Sequence, residues 1–334
     1  MTESEPRAKG CDHPTGCHTG TVPLFASATV GARYWVLVEH PGPWARSVAE
    51  TALPEPVADL VARAGELGVR VQLIRRPGER RSRRANPVAE TAAATGGGDA
   101  EKPFHVLVAY AVGDRPWLAE GWLADLRDLD LRSLVAGAVP ESCILKDEPV
   151  FLVCTHAKRN ACCARIGLPL ARALGAELPG LVWETSHVGG DRYAANLVCL
   201  PHGLYYGSMS QAAAIAAASA YRRGEIVLDR FRGRAGIPEP LQAAEHFVRS
   251  LTGELSVGGV AVESSRPDGD ATEIVISSGG ARYRVVVERT VFTPPCGTAC
   301  AETITTYRLA SLDRLDPDQY ALAYSSLGSG EHHG

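Results

Sequence analysis

Apolar residues fall along this chain in short runs, bounded by glycine, proline or charged residues. That pattern predicts strands and amphipathic helices joined by loops. YWVLVE at 34–39 predicts a strand, HPGPW at 40–44 a turn, 57–67 an amphipathic helix and 69–74 a second strand. After a loop rich in arginine and glycine, 104–112 predicts a third strand, and 118–134 a helix that Gly121 weakens. This order suits an α/β layer in which helices cover a sheet. No G-x-G-x-x-G joins a strand to a helix, so a dinucleotide site is not expected in this half. It reads as a scaffold or docking domain.

A second unit opens with the buried strand 150–154 and continues through a polar loop to a helix over 168–174, which Gly175 would end. A strand at 181–184 follows, then two short strands, 196–200 and 204–206, turned by Pro201, His202 and Gly203. An alanine-rich helix over 210–223 closes the unit, capped by Ser208 or Ser210. Strand, helix, strand, hairpin, helix is a thioredoxin-like order. Beyond residue 237 a helix at 241–251 precedes strands at 258–262, 272–276 and 281–288, the last placing Tyr283, Val285 and Val287 on one face. The expected organisation is a tail at 1–22, an α/β domain at 23–148 with a thioredoxin-like arrangement open to it, a thioredoxin-like core at 149–236, a small α+β appendage at 237–324 and a tail at 325–334. Both tails read as disordered.

Composition narrows the function classes. At 334 residues two or three domains are expected. Lys and Arg number 34 and Asp and Glu 38, a net charge of -4 that offers no case for nucleic acid or acidic lipid as partner. Arg75, Arg76, Arg80, Arg81, Arg83 and Arg84 sit among Pro77, Pro87 and Gly96 to Gly98, the setting of a solvated loop. No apolar run matches a membrane span, and the first residues lack the apolar core of a signal peptide, so the expected location is cytoplasmic. Nine cysteines in a reducing compartment point to metal ligands or redox thiols before structural disulfides. Cys143 stands alone and reads as a small buried residue. Cys11, His13, Cys17 and His18 do not match zinc-finger spacing. Cys296 and Cys300 form a weak C-x3-C signal.

The candidate chemistry lies between residues 151 and 207. Cys154 ends a strand, Cys162 and Cys163 start a helix, and Lys158 and Arg159 between them make the loop electropositive. Positive charge and a helix N-terminus favour thiolates and suit an anionic cluster held by them. His187 stands beside Gly189 and Gly190, which permit a sharp bend, and Asp191 follows four residues on. Cys162 reads as a spectator under the helix and Cys199 as a core residue of its strand. His156 either donates to a cluster or shapes the loop.

CTHAKRNACCARIG, HVGGDRYAANLVCLPHGLYYG and AYRRGEIVLDRFRGR, with VLVEHPGPW nearer the start, resemble the sucrase/ferredoxin-like proteins over roughly residues 20–236. The resemblance implies a thioredoxin-like ferredoxin core with one [2Fe–2S] cluster on two cysteines and the two histidines of an H-x-G-G-H motif. Carried over, Cys154 and Cys163 match the thiolates and His187 the first histidine. Asp191 stands where the second histidine belongs. A carboxylate in place of a neutral imidazole makes the site more negative and lowers its reduction potential. Three arrangements stay open: Asp191 ligates; Cys162, Cys199 or His202 supplies the fourth bond; or the cluster is lost. The expected function is electron transfer between redox donor and acceptor proteins, closer to a carrier than to a stand-alone enzyme. The rivals are a cluster-free thiol-redox protein, with Cys154 paired to Cys162 or Cys163, and a structural zinc site. No acid and nucleophile pair for sugar hydrolysis is identifiable.

Overall fold

A computed structural model of the chain describes residues 23–78, 103–293 and 303–315. The expectations for both tails, for Cys11, His13, Cys17 and His18, for residues 80–84 and 96–98, and for Cys296 and Cys300 lie outside the described residues. The first half contains β1 (Tyr34–Glu39), α1 (Glu55–Glu66), β2 (Arg70–Arg75), β3 (Phe104–Tyr110), β4 (Trp117–Leu123), α2 (Leu131–Val135) and β5 (Ile144–Leu145). The second contains β6 (Val150–Cys154), α3 (Ala161–Glu177), β7 (Val182–Thr185), β8 (Leu197–Leu200), β9 (Leu204–Tyr206), α4 (Gln211–Arg222) and β10 (Phe231–Arg234). All ten strands join one mixed sheet in the order β10-β9-β8-β6-β7-β2-β1-β3-β4-β5. The protein is α/β.

Each half follows the same plan. β1 and β2 run parallel, β3 lies antiparallel on the far side of β1, and β4 extends the sheet. β6 and β7 are likewise parallel, with β8 antiparallel beside β6 and β9 beyond it. The halves meet where β2 and β7 pair antiparallel at their last residues, Ile74 with Thr185 and Arg75 with Glu184. The sheet is strongly curled. Trp35 of β1 and Tyr205 of β9 stand five strands apart in its order, about 24 Å in a flat sheet. Their ring centroids nevertheless lie 6.4 Å apart. The inner face buries Trp35, Leu37, Leu107, Leu152, Trp183 and Tyr205, while α3 and α4 cover the outer face of the second half over Phe151, Val153 and Leu197.

Three sequence expectations change. Residues 118–134 do not form one helix: β4 occupies 117–123, and only the short α2 follows. The reason is tertiary, since a Cβ on Gly121 would lie 2.8 Å from the Ser142 carbonyl oxygen and 3.0 Å from Cys143 Sγ. Bare backbone is therefore needed at that point of β4. α3 begins at Ala161, not 168, because the Asn160 side chain accepts the Cys162 N–H at 2.9 Å and caps it. It also runs through Gly175 to Glu177, with Pro169 inside. Ser210, the second of the two proposed caps, accepts the Ala213 N–H.

The last unit is a four-stranded antiparallel sheet of β11 (Val260–Asp268), β12 (Ala271–Ser278), β13 (Ala281–Phe292) and β14 (Ile304–Leu315). α5 (Glu239–Thr252) lays Ala243, Ala244 and Val248 on Ile274, Ile276, Val285 and Val287. Tyr283 shares the face of Val285 and Val287 and packs against this core, as the alternation predicts. Among the described residues no helix is long and apolar enough to cross a membrane.

Candidate functional site

Cys154 is the last residue of β6, and His187 lies two residues beyond the end of the parallel neighbour β7. Cys163 sits in the first turn of α3, the connection between those strands. All three therefore gather at the carboxyl ends of a parallel pair, where a βαβ unit leaves a crevice. Gly167 allows the approach: a Cβ there would lie 2.3 Å from the Cys154 carbonyl oxygen, so only glycine brings α3 this close to β6.

The thiols of Cys154 and Cys163 are in hydrogen-bond contact, and the His187 ring hydrogen-bonds to Cys154. Both cysteines are buried. Cys163 as donor, and then His187, pull Cys154 well below the usual thiol range. That same hydrogen bond to Cys154, followed by burial and the nearby charges of Cys154 and Asp191, pushes Cys163 far up. The pair gives up one proton readily and holds the other. Asp191 accepts a hydrogen bond from Asn160 Nδ2 at 3.4 Å, so the residue that caps α3 also tethers the carboxylate. The structure thus brings together Cys154, Cys163, His187 and Asp191.

The bend carrying His187 is held at every residue. The His187 N–H donates to His156 Nδ1 at 3.0 Å, and its carbonyl accepts from Arg70 at 2.9 Å and Gln72 at 3.1 Å. Thr29 Oγ1 and Tyr205 Oη both donate to the Val188 carbonyl at 2.9 Å. Arg232 donates to the Gly189 carbonyl at 3.2 Å, and Asn196 to the Gly190 carbonyl at 2.9 Å. Gly190 has φ +68°, and a Cβ there would meet Arg232 Nη2 at 2.2 Å, so both the bend and the close approach demand glycine.

His156 shapes the loop. Its Nε2 donates to the Ala45 carbonyl while Nδ1 accepts from His187, which leaves neither nitrogen for a centre. Cys162 is also buried, but its sulfur takes a 3.7 Å contact from Arg165, apart from the Cys154–Cys163 pair. Cys199 and His202 are not brought to the site. Cys199 packs with Phe151 and Val153 on the opposite face of the sheet, where burial pushes its thiol up. Val150 pairs with Leu200 and Val153 with Leu197, so the turn carrying His202 lies at the far end of β6 from Cys154.

His202 accepts the Tyr221 hydroxyl at 2.6 Å through Nδ1. Burial pulls its pKa from 6.5 down to about 4. The unfolded chain then takes up a proton that the folded chain refuses, so stability falls as pH drops from about 6.5 to about 4. In urea unfolding across that window, His202→Asn should remove one proton from the pH slope; an unchanged slope would exclude this role.

The equivalent place in the first half carries no thiol. Val38 pairs with Val106 as Val153 pairs with Leu197, so Glu39 stands where Cys154 does. His105 lies between Glu39, 2.8 Å from Nδ1, and Glu120, 2.7 Å from Nε2. The sheet therefore holds one thiol site, in its second half.

Sequence reasoning assigned no role to Arg232, although the motif AYRRGEIVLDRFRGR contains it. The residue is buried, with Nε 3.0 Å from Ser27 Oγ and Nη1 2.7 Å from Asn196 Oδ1, and Nη2 bonds the Ser27 carbonyl. Its guanidinium lies 4.6 Å from the Tyr193 ring centroid and 5.4 Å from that of Tyr205. Burial pulls it down to about 10, still charged at neutral pH. An arginine between Phe231 and Gly233 on a short strand offers no signal that it points inward.

The donor set of two thiols, an imidazole and a carboxylate is one that iron accepts. His187 Nδ1 is buried and lacks a hydrogen-bond partner, so that nitrogen, unlike the side of the ring that meets Cys154, is left open to a ligand. Among the described residues no three His, Cys, Asp or Glu side chains surround one point as ligands of a single metal ion. A two-iron cluster makes a different demand, for two pairs of ligands some distance apart. No curated protein and no solved structure matches the chain at a significant level. The sequence profile of the sucrase/ferredoxin-like family matches residues 26–233, over half the chain and all of the thiol site, and the chain belongs to that family.

Proposed function

We propose that the protein carries electrons by means of one [2Fe–2S] cluster at this site. Cys154 and Cys163 would hold one iron, and His187 with Asp191 the other. The observation that carries the reading is the convergence of two buried thiols, the His187 ring and the Asp191 carboxylate at one sheet end. Bound there, the cluster supplies one-electron exchange, while the chain sets its charge and its access to water. The clamped bend and the capped start of α3 fix both ligand loops in advance, which favours electron transfer with little rearrangement.

Iron, acid-labile sulfide, visible absorption and electron paramagnetic resonance of anaerobically purified protein test the reading. Two irons and two sulfides per chain are expected; colourless protein that stays iron-free after reconstitution overturns it. Asp191→His replaces an anionic ligand by a neutral one. It should keep the cluster and raise the potential by on the order of 100 mV. An unchanged potential would remove Asp191 from the ligand set.

The contact between the Cys154 and Cys163 thiols favours a second reading, a reversible disulfide between them in a cluster-free protein. Glutathione disulfide would accept the two electrons, leaving two glutathione thiols. Peptide mapping that finds this disulfide in stable, active, iron-free protein would select it.

A further inference from the structure

Three arginines of the described chain have almost no exposed surface: Arg75, Arg232 and Arg249. Two of them follow the usual rule for buried charge. Arg75 bonds Glu184 at 2.9 Å, and Arg249 bonds Glu245 at 2.9 Å. Arg232 departs from it. Its partners are the Ser27 hydroxyl and carbonyl, the Gly189 carbonyl and the Asn196 side-chain oxygen, all neutral. Among the described residues no carboxylate is in ion-pair contact with it. A guanidinium closed off from water and left without a counter-ion is costly, and neutral acceptors offset only part of that cost. Arg232 Nη1 bonds the Gly189 carbonyl at 3.2 Å, two residues from both His187 and Asp191. After the rings of Tyr193 and Tyr205, the groups its charge reaches include Asp191 and Cys154. Both belong to the thiol site.

We propose that Arg232 is the charge-compensating residue of that site, a positioning residue whose permanent positive charge balances an anionic centre held by Cys154 and Cys163. The inference rests on reading the site as an iron–sulfur centre and adds what the chain does for it. Two thiolates and one carboxylate give such a centre more negative charge than a ligand set with two imidazoles. A buried cation beside it offsets the excess and favours the reduced form, which carries one more electron. The same guanidinium holds the Gly189 carbonyl, and Asn196 links it to Gly190, so it also fixes the bend that aims His187 and Asp191. Charge and clamp are thus joined in one side chain.

Dithionite redox titration of wild type, Arg232→Gln, Arg232→Lys and Asn196→Asp, with iron and sulfide measured in each, separates these roles. Arg232→Gln removes the charge and should weaken the reduction equilibrium at least tenfold, 59 mV for one electron. Arg232→Lys keeps the charge and should restore most of the potential. Asn196→Asp leaves the arginine in place but puts a carboxylate where Asn196 Oδ1 now lies, 2.7 Å from Nη1. It should lower the potential in the same direction, and it decides the matter if Arg232→Gln does not fold. Folded variants that hold iron and sulfide at the wild-type potential would overturn the role of Arg232 alone. Wild-type protein without iron and sulfide would instead overturn the reading of the site, and this inference with it.

Discussion

Cys163→Ser is expected to purify as folded protein with less than about a tenth of the wild-type iron and sulfide, because a serine hydroxyl is a poor substitute for a thiolate on iron. Cys162→Ser, one residue earlier, should retain both in full. The two positions are adjacent in sequence and alike in burial, yet only Cys163 is in contact with Cys154, while Cys162 faces Arg165. In an apolar setting either serine costs about 1–3 kcal/mol of stability, so folding by itself does not separate them. Iron and sulfide content does. A Cys163→Ser protein with full iron, or equal losses in both variants, would show that the pairing of Cys154 with Cys163 is not what holds the centre.

Glu184→Ala should lower stability by about 3–5 kcal/mol in urea unfolding, the largest effect expected outside the thiol site. Glu184 has no exposed surface. Its carboxylate accepts from Arg75 Nε at 2.9 Å, from Thr155 Oγ1 at 3.1 Å and from the Gly78 N–H at 3.2 Å. Arg75 lies on β2 and Glu184 on β7, the strands whose pairing joins the two halves of the sheet. Removing the acid takes the Glu184 carboxylate away from a buried guanidinium that lies 3.8 Å from the Trp44 ring centroid. Because Thr155 follows Cys154 directly, part of the loss should reach the thiol site as weaker iron retention. A loss below about 1 kcal/mol would mean that the β2–β7 seam does not depend on this ion pair.

Much of the frame can be read from the chain in one dimension. The strands at 34–39, 150–154 and 204–206 are apolar runs between breakers, and the structure keeps their bounds. The alternation of Tyr283, Val285 and Val287 likewise appears as one face of β13 packed against α5. Residues 118–134 misled because Leu123, Leu126 and Leu129, and again Leu131 and Leu134, recur three residues apart, a spacing a helix would use. A partner strand and the backbone around Ser142 claim residues 117–123 instead, and periodicity carries no record of either.

Local sequence determined the α/β class, the thiols at a strand end and a helix start, and the glycine bend that leads to Asp191. Each is a statement about neighbours along the chain, where apolar period, capping and turn chemistry act. Tertiary structure decided that the turn of His202 lies at the far end of β6 from Cys154, that the two halves share one curled sheet, and that Arg232 points inward without a carboxylate; it also placed Cys163 against Cys154, the pair that the family resemblance implies. Those outcomes depend on contacts between residues that can stand more than two hundred positions apart, such as Ser27 and Arg232. Burial and charge compensation act between residues close in space, whatever their separation along the chain.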